Sequence, residues 1–267
     1  WAEIVQGIGR NHILPKFGRW RLDKLARSPR VVREWHQGLT RDAGPVAANH
    51  AAKALRAAYM SAAREDTSLP RDRHPCTSVE YNVEEPRQVG ITDWKAWRKA
   101  WNKIPNPTRK AYHLFALLTG CRPGEAARVR WDGVKAKSRT LTIKKSKSGM
   151  DVTIPLSVPI VRVLRMARSV STDTDHYIFP ARGPKGHMVR FDADGLPVYA
   201  NGLRHTYTSL AAAVGVDQLT IDMLTTHVPR GVSQKYFLHM IVVSGPAMRK
   251  AQARISADIV RRLELKL

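Results

Sequence analysis

Three short stretches in the middle of this 267-residue chain, RVRWDGV (128–134), RTLTIKK (139–145) and MDVTIPL (150–156), alternate apolar and polar residues. Before and after them the apolar residues recur at helical spacing. A period of two belongs to a half-buried strand and a period of 3.6 to a helix with one face on a core. Residues Ser146–Gly149 separate the second and third stretches, which predicts a β-hairpin with Lys147 at or near its turn. The expected fold class is therefore mainly α with a small antiparallel β-sheet (α+β), in the order helices, sheet, helices.

The chain also divides lengthwise. EYNVEEPRQVG (80–90) is acidic, holds Pro86 and lacks apolar periodicity, so it reads as a linker. The expected domains are 1–84 and 85–267, with a linker at about 80–91. In the first, Val31, Val32, Trp35 and Leu39 mark one helix and Ala51, Leu55, Ala58 and Tyr59 another. Gly44 and Pro45 divide them, Pro70 and Pro75 end the last, and the outcome is a helical bundle. In the second domain, Thr92 is the expected N-cap of a helix with Asp93 in its first turn. Trp94, Trp97 and Trp101 lie on one face of it, which fits a core better than a base-stacking platform. A helix from Thr108 to Leu118 stops at Gly120, and Pro123 starts another. Helical spacing resumes at Val158. One helix carries Leu203, Tyr207, Leu210 and Ala211 and ends at Gly215, another carries Ile221 and Leu224, and a short one carries Tyr236.

Composition narrows the function. With 43% hydrophobic residues the chain can fill a core, and no apolar run approaches the roughly 18 residues of a membrane span. No secretion signal is evident at Trp1–Gly9, so no membrane partner is expected. Cys76 and Cys121 stand 45 residues apart without companion ligands, which fits a reducing cytoplasm rather than a disulfide or zinc framework. The net charge is +23 and the pI about 10.7, which points to a polyanion such as nucleic acid; a solvated basic surface is the plainer reading. Residues 1–84 carry 14 basic and 9 acidic side chains, a net of +5, and residues 85–267 carry 31 and 13, a net of +18.

Phosphate-cradling and dinucleotide glycine loops, paired zinc ligands and the zincin helix motif are absent from the sequence, and no cofactor is expected. What remains is basic groups and a tyrosine. TGCRPGEA (119–126) sets Arg122 between a helix end and a helix start, where an arginine suits a phosphate, with Glu125 placed to hold its guanidinium. By local sequence alone this is equally a surface ion pair. Lys147 in a hairpin turn could donate a proton to a leaving oxygen, or be solvated. NGLRHTYTSLAA (201–212) puts Arg204 near a helix start, and LTTHVPRGVSQKYF (224–237) gives His227 and, nine residues later, Tyr236.

Taken together, these five contexts in this order resemble the tyrosine recombinase (phage integrase) family. ILPKFG (13–18) and ANHAAKALRAAY (48–59) resemble its helical core-DNA-binding domain. The resemblance covers nearly the whole chain and implies a catalytic domain after that bundle. It implies that Tyr236 attacks a DNA phosphodiester and forms a 3′-phosphotyrosine, without ATP or metal. Arg122 and Arg204 would grip the non-bridging oxygens, Lys147 would protonate the 5′ oxygen and His227 would hydrogen-bond the phosphate. The family usually has a histidine where this chain has Asn201, and an amide donates a hydrogen bond but cannot shuttle a proton. His205 is turned about 100° from Arg204 and is no simple substitute.

The implied partners are double-stranded DNA carrying core recombination sites, clamped between the two domains, and further copies of the chain in a tetramer on DNA. Accessory DNA-bending or directionality factors are also implied. The implied setting is the cytoplasm and nucleoid of a bacterial or archaeal host. A start at Trp1 fits a fragment whose arm-binding domain was removed. The tail carries Met248, Ile255, Ile259 and Leu263 at helical spacing; the resemblance implies that it docks on a neighbouring subunit, and the stripe also fits a final core helix. Two other readings stay open: a type IB topoisomerase-like enzyme, and, because of Asn201, a binding-only regulator on the same scaffold.

Overall fold

The computed structural model describes residues 2–84, 90–144, 151–172, 174–192, 195–227, 233–243 and 245–266. They fall into two compact units, Trp1–Arg87 and Gln88–Leu267. No helix among the described residues is long and apolar enough to cross a membrane.

The first unit is helical. It comprises α1 (Ala2–Ile8), a π-helical turn (Gly9–Ile13), α2 (Leu14–Phe17), α3 (Leu22–Ala26), α4 (Pro29–Ala43) and α5 (Pro45–Glu65). Gly44, at φ +89°, makes the reversal between α4 and α5, a backbone shape that glycine adopts without a Cβ penalty. Ala48, Ala51 and Ala52 are fully buried on α5, which packs against α4. Ala58 is exposed; the buried stripe runs through Leu55, Tyr59 and Ala63 instead. The helix ends at Glu65, before the expected prolines, because the Asp66 carboxylate accepts from both the backbone and the hydroxyl of Ser68 (2.9 and 2.6 Å), which turns the chain. A buried polar cluster fastens the segment after the bundle. His36 meets Asn49 at 3.1 Å, and the Asn49 amide donates to the Asn82 carbonyl (3.0 Å) and to Glu84 (2.8 Å).

The second unit holds the larger core. Its helices are α6 (Trp94–Asn102), α7 (Pro107–Thr119), α8 (Pro123–Ala127), α9 (Val158–Arg168), α10 (Asn201–Ala213), α11 (Gln218–Leu224), α12 (Gln234–Val243) and α13 (Gly245–Arg262). The cap of α6 is Asp93, not Thr92: its carboxylate accepts from the Ala96 amide at 2.8 Å. Trp97 and Trp101 are buried, and their indole N–H groups reach the Val198 and Lys110 carbonyls at 2.9 and 2.8 Å, so they are core residues. The sheet has the order β1 (Val134–Lys135), β2 (Thr140–Ile143), β3 (Val152–Pro155), antiparallel throughout. Leu141 faces Ile154 and Ile143 faces Val152, all four buried, while Thr142 and Thr153 hydrogen-bond across the partner face at 3.0 Å. Only the last residue of RVRWDGV joins a strand. A 3₁₀ turn at Trp131–Gly133 interrupts it, with Gly133 so close to the Thr142 carbonyl that a Cβ would stand 2.6 Å from it.

The tail stripe is used within its own chain. Met248, Ile255 and Ile259 of α13, and Leu263 just after it, are all buried in the core of the second unit. Gln252 on the same face accepts from the Tyr207 hydroxyl (2.9 Å) and donates to the Leu118 carbonyl (2.8 Å), and Ser256 meets Ser157 at 2.8 Å. The expected docking of this stripe on a neighbour is therefore replaced by a final core helix, because its apolar face and its polar groups are satisfied by α7, α9, α10 and α11. Both cysteines are free and buried; burial pushes the Cys76 thiol up to about 11 and the Cys121 thiol up to about 12.

Candidate active site

Arg122 is the N-cap residue of α8. That helix has five residues, too short for its dipole to matter, so the positive field here comes from the guanidinium itself. Glu125, 2% exposed, braces Arg122 twice: one carboxylate oxygen accepts from the Arg122 backbone N–H (3.3 Å), the other from Nη1 (3.2 Å). This is the arrangement expected from the three-residue spacing.

Arg204 lies in the first turn of α10 and points into the protein. Its Nη1 donates to the Gly120 carbonyl at 2.9 Å and to the Thr225 carbonyl at 2.8 Å. The first of these is the left-handed C-cap of α7, the second the C-cap of α11. Helix ends leave carbonyls without intrahelical partners, and a buried arginine is well suited to take them. Burial first, then the nearby Arg122 charge, hold the Arg204 guanidinium below the usual arginine range. Arginine still keeps its charge at any working pH.

Thr226 bonds Arg122 directly. Its φ of +58° is an outlier for a β-branched residue, at a cost of about 1–3 kcal/mol. Arg122 Nη1 reaches the Thr226 hydroxyl at 3.3 Å and its carbonyl at 3.5 Å, and the hydroxyl donates to Glu125 at 3.2 Å. The consecutive carbonyls of Thr225 and Thr226 thus hold Arg204 and Arg122 in one place.

His227 follows directly. Its backbone N–H donates to the Asp222 carbonyl at 2.8 Å, and its half-exposed ring lies with Nδ1 3.4 Å from the Asp222 carboxylate. Asn201 opens α10 and is exposed, three residues before Arg204, and it follows Ala200, itself at φ +50°. The exposed His205 stands four residues after Asn201 on the same helical face. Tyr236 lies on α12 and is 59% exposed; its N–H donates to the Ser233 hydroxyl at 3.3 Å. Among the described residues, no hydrogen bond joins the Tyr236 hydroxyl to the arginines or to His227. Lys147 lies outside the described residues. Guanidinium groups held by neighbouring carbonyls are suited to binding a phosphate, and a phenol is among the side chains able to attack one.

Apart from Glu125, the acceptors of both arginines escaped the sequence reading. Gly120, Thr225 and Thr226 act through backbone carbonyls, which have no residue signature; the Thr226 hydroxyl is the exception, in a β-branched pair that reads as core.

The sequence profile of the phage integrase family matches residues 98–238, more than half of the chain. The prophage integrase IntF of Escherichia coli K12 is 27% identical over 155 residues, which cover 54% of this chain and 33% of that protein. The chain spans a third or less of the curated relatives it matches. Its fold is like that of the integrase from mycobacterium phage Brujita, with a TM-score of 0.52, 15% identity, and 98% and 97% of the two chains covered. It is also like that of lambda integrase in a tetramer bound to a Holliday junction, with a TM-score of 0.58, 16% identity, and 78% and 64% covered. A family profile matching across α6 to α12, on a fold shared with those integrases, makes this chain a member of the phage integrase family.

Proposed function

We propose that the protein is a site-specific DNA recombinase that cuts and rejoins strands through a 3′-phosphotyrosine, in the integration or excision of a mobile element. One observation carries this reading: Arg122 and Arg204 hang from neighbouring carbonyls of the segment that leads into His227, with exposed Tyr236 on the helix that follows. Two fixed guanidinium groups can neutralise the charge that builds on an attacked phosphate, and each such donor is typically worth about 10²–10³ in rate.

In this mechanism the Tyr236 oxygen attacks phosphorus, the P–O5′ bond breaks, and Lys147 protonates the departing 5′ oxygen. His227 donates a hydrogen bond to the phosphate. Asn201 contributes a hydrogen bond only, so the phenolic proton passes to water or a neighbouring base. A 5′-hydroxyl from a second strand then attacks the phosphotyrosine and releases Tyr236. The free energy of the phosphodiester is kept, so neither ATP nor metal enters the scheme. Residues 1–84 serve as the core-DNA-binding domain and 85–267 as the catalytic domain. The working assembly is a tetramer on duplex core sites in a prokaryotic nucleoid, with accessory bending or directionality proteins. The family match supports the recombinase chemistry, and the DNA-bound tetramer of lambda integrase, whose fold this chain shares, supports the DNA partner and the tetramer.

The test is a nicked suicide duplex carrying the element's attachment site. Wild type is expected to yield a covalent protein–DNA band, and Tyr236→Phe to bind without one. Binding without a band in wild type would leave the regulator reading, and a band from Tyr236→Phe would refute the nucleophile. Relaxation of supercoils without a second site would favour the topoisomerase reading.

A further inference from the structure

We infer that Thr226 is a positioning residue for Arg122: its left-handed backbone and its hydroxyl together fix the direction of that guanidinium. The inference deepens the recombinase reading and rests on it for its catalytic consequence. Thr226 is 2% exposed and sits at φ +58°, a conformation that glycine would adopt without cost and a β-branched residue resists. The hydroxyl makes two bonds there. It accepts from Arg122 Nη1 at 3.3 Å, and its single proton goes to Glu125 Oε2 at 3.2 Å. With the direct contact between Nη1 and Glu125 Oε1 at 3.2 Å, this closes a triangle of hydrogen bonds whose donors and acceptors all match.

Among the described residues, the hydrogen bonds of the Arg122 side chain all leave Nη1, which leaves Nη2 and Nε unbonded there. The same backbone turn presents the Thr225 carbonyl to Arg204 and leads directly into His227. One residue thereby sets the register of three groups of the candidate site. Serine would keep the hydroxyl, valine would keep the shape without it, and glycine would remove both hydroxyl and backbone strain.

The experiment compares Thr226→Ser, Thr226→Val and Thr226→Gly by single-turnover cleavage of a suicide duplex, by duplex affinity and by guanidinium NMR of Arg122. Thr226→Ser is expected to cleave within about threefold of wild type. Thr226→Val and Thr226→Gly are expected to cleave about tenfold or more slowly with little change in affinity. Thr226→Gly is also expected to be at least as heat-stable as wild type, which a merely structural role for the threonine would not combine with slow cleavage. In the spectra, hindered rotation of the Arg122 guanidinium should persist in wild type and serine and be lost in glycine and valine. Thr226→Gly retaining both the wild-type rate and the hindered guanidinium would overturn the inference. If wild type forms no adduct, the recombinase reading falls, and the guanidinium spectra alone decide the role of Thr226. If valine fails to fold, serine and glycine decide it.

Discussion

Gly120 and Tyr207 are in direct contact: a Cβ built on Gly120 would stand 2.3 Å from the Tyr207 ring. Gly120 is also left-handed at φ +62° and gives its carbonyl to Arg204, three residues before that tyrosine. The close approach of α7 to α10 and the seating of Arg204 are thus one feature. Gly120→Ala should lower stability by about 3 kcal/mol or more, from overpacking added to an unfavourable φ. Denaturant unfolding measures it, and a midpoint equal to wild type would show that the two helices part freely.

Asn201 tests the proton path. It is exposed at the start of α10, three residues before Arg204. An imidazole there can accept the tyrosine's proton, which an amide cannot. Asn201→His should raise the single-turnover cleavage rate by about tenfold or more, within the range of general-base effects. An unchanged rate would mean that the proton already leaves by another route.

His113 predicts a pH dependence of stability. It is fully buried on α7, with neither ring nitrogen hydrogen-bonded among the described residues. Burial, helped by the charge of Arg109, pushes its ring down to about 4 from an unfolded value of 6.5. The unfolded chain therefore binds the proton first. Stability is unaffected above about pH 6.5, falls as pH drops toward 4, and levels off below that, for a loss of about 3 kcal/mol. Replacing the ring by His113→Phe should flatten this part of the pH profile, as followed by thermal unfolding between pH 4 and 7. The same slope in wild type and variant would assign it to other groups.

The excess charge makes a fourth prediction. With +18 over residues 85–267, most duplex contacts should be to phosphates, which bind without reading sequence. Raising salt from 50 to 200 mM should weaken duplex binding by about 10³-fold or more if six or more phosphates are neutralised. A flat response in a titration would show that the charge serves solubility.

Where a residue's own chemistry dictated structure, the sequence could be read. Leu141, Ile143, Val152 and Ile154 alternate because one sheet face is buried, and Gly120 and Pro123 punctuate because their backbones allow little else. Glu125 was legible through its spacing from Arg122. Where the third dimension decides, local pattern fell short. Ala58 looks like part of an apolar stripe but faces solvent, and RVRWDGV alternates yet turns at Trp131–Gly133 to bring Gly133 against Thr142. In the candidate site, residue types flagged the two arginines, while the carbonyls that aim them belong to residues far away in the chain.

Burial of both thiols has a practical corollary. Cys76 is 4% exposed and Cys121 1%, and burial raises the pKa of each thiol above the ordinary value, so both stay protonated near neutral pH. Alkylating reagents attack the thiolate, so the folded protein is close to inert toward them. A single cysteine introduced on an exposed position, such as Gln37 on α4, would then be the one reactive handle for a fluorophore or spin label. The movements of this protein could be followed spectroscopically without first stripping its native sulfur.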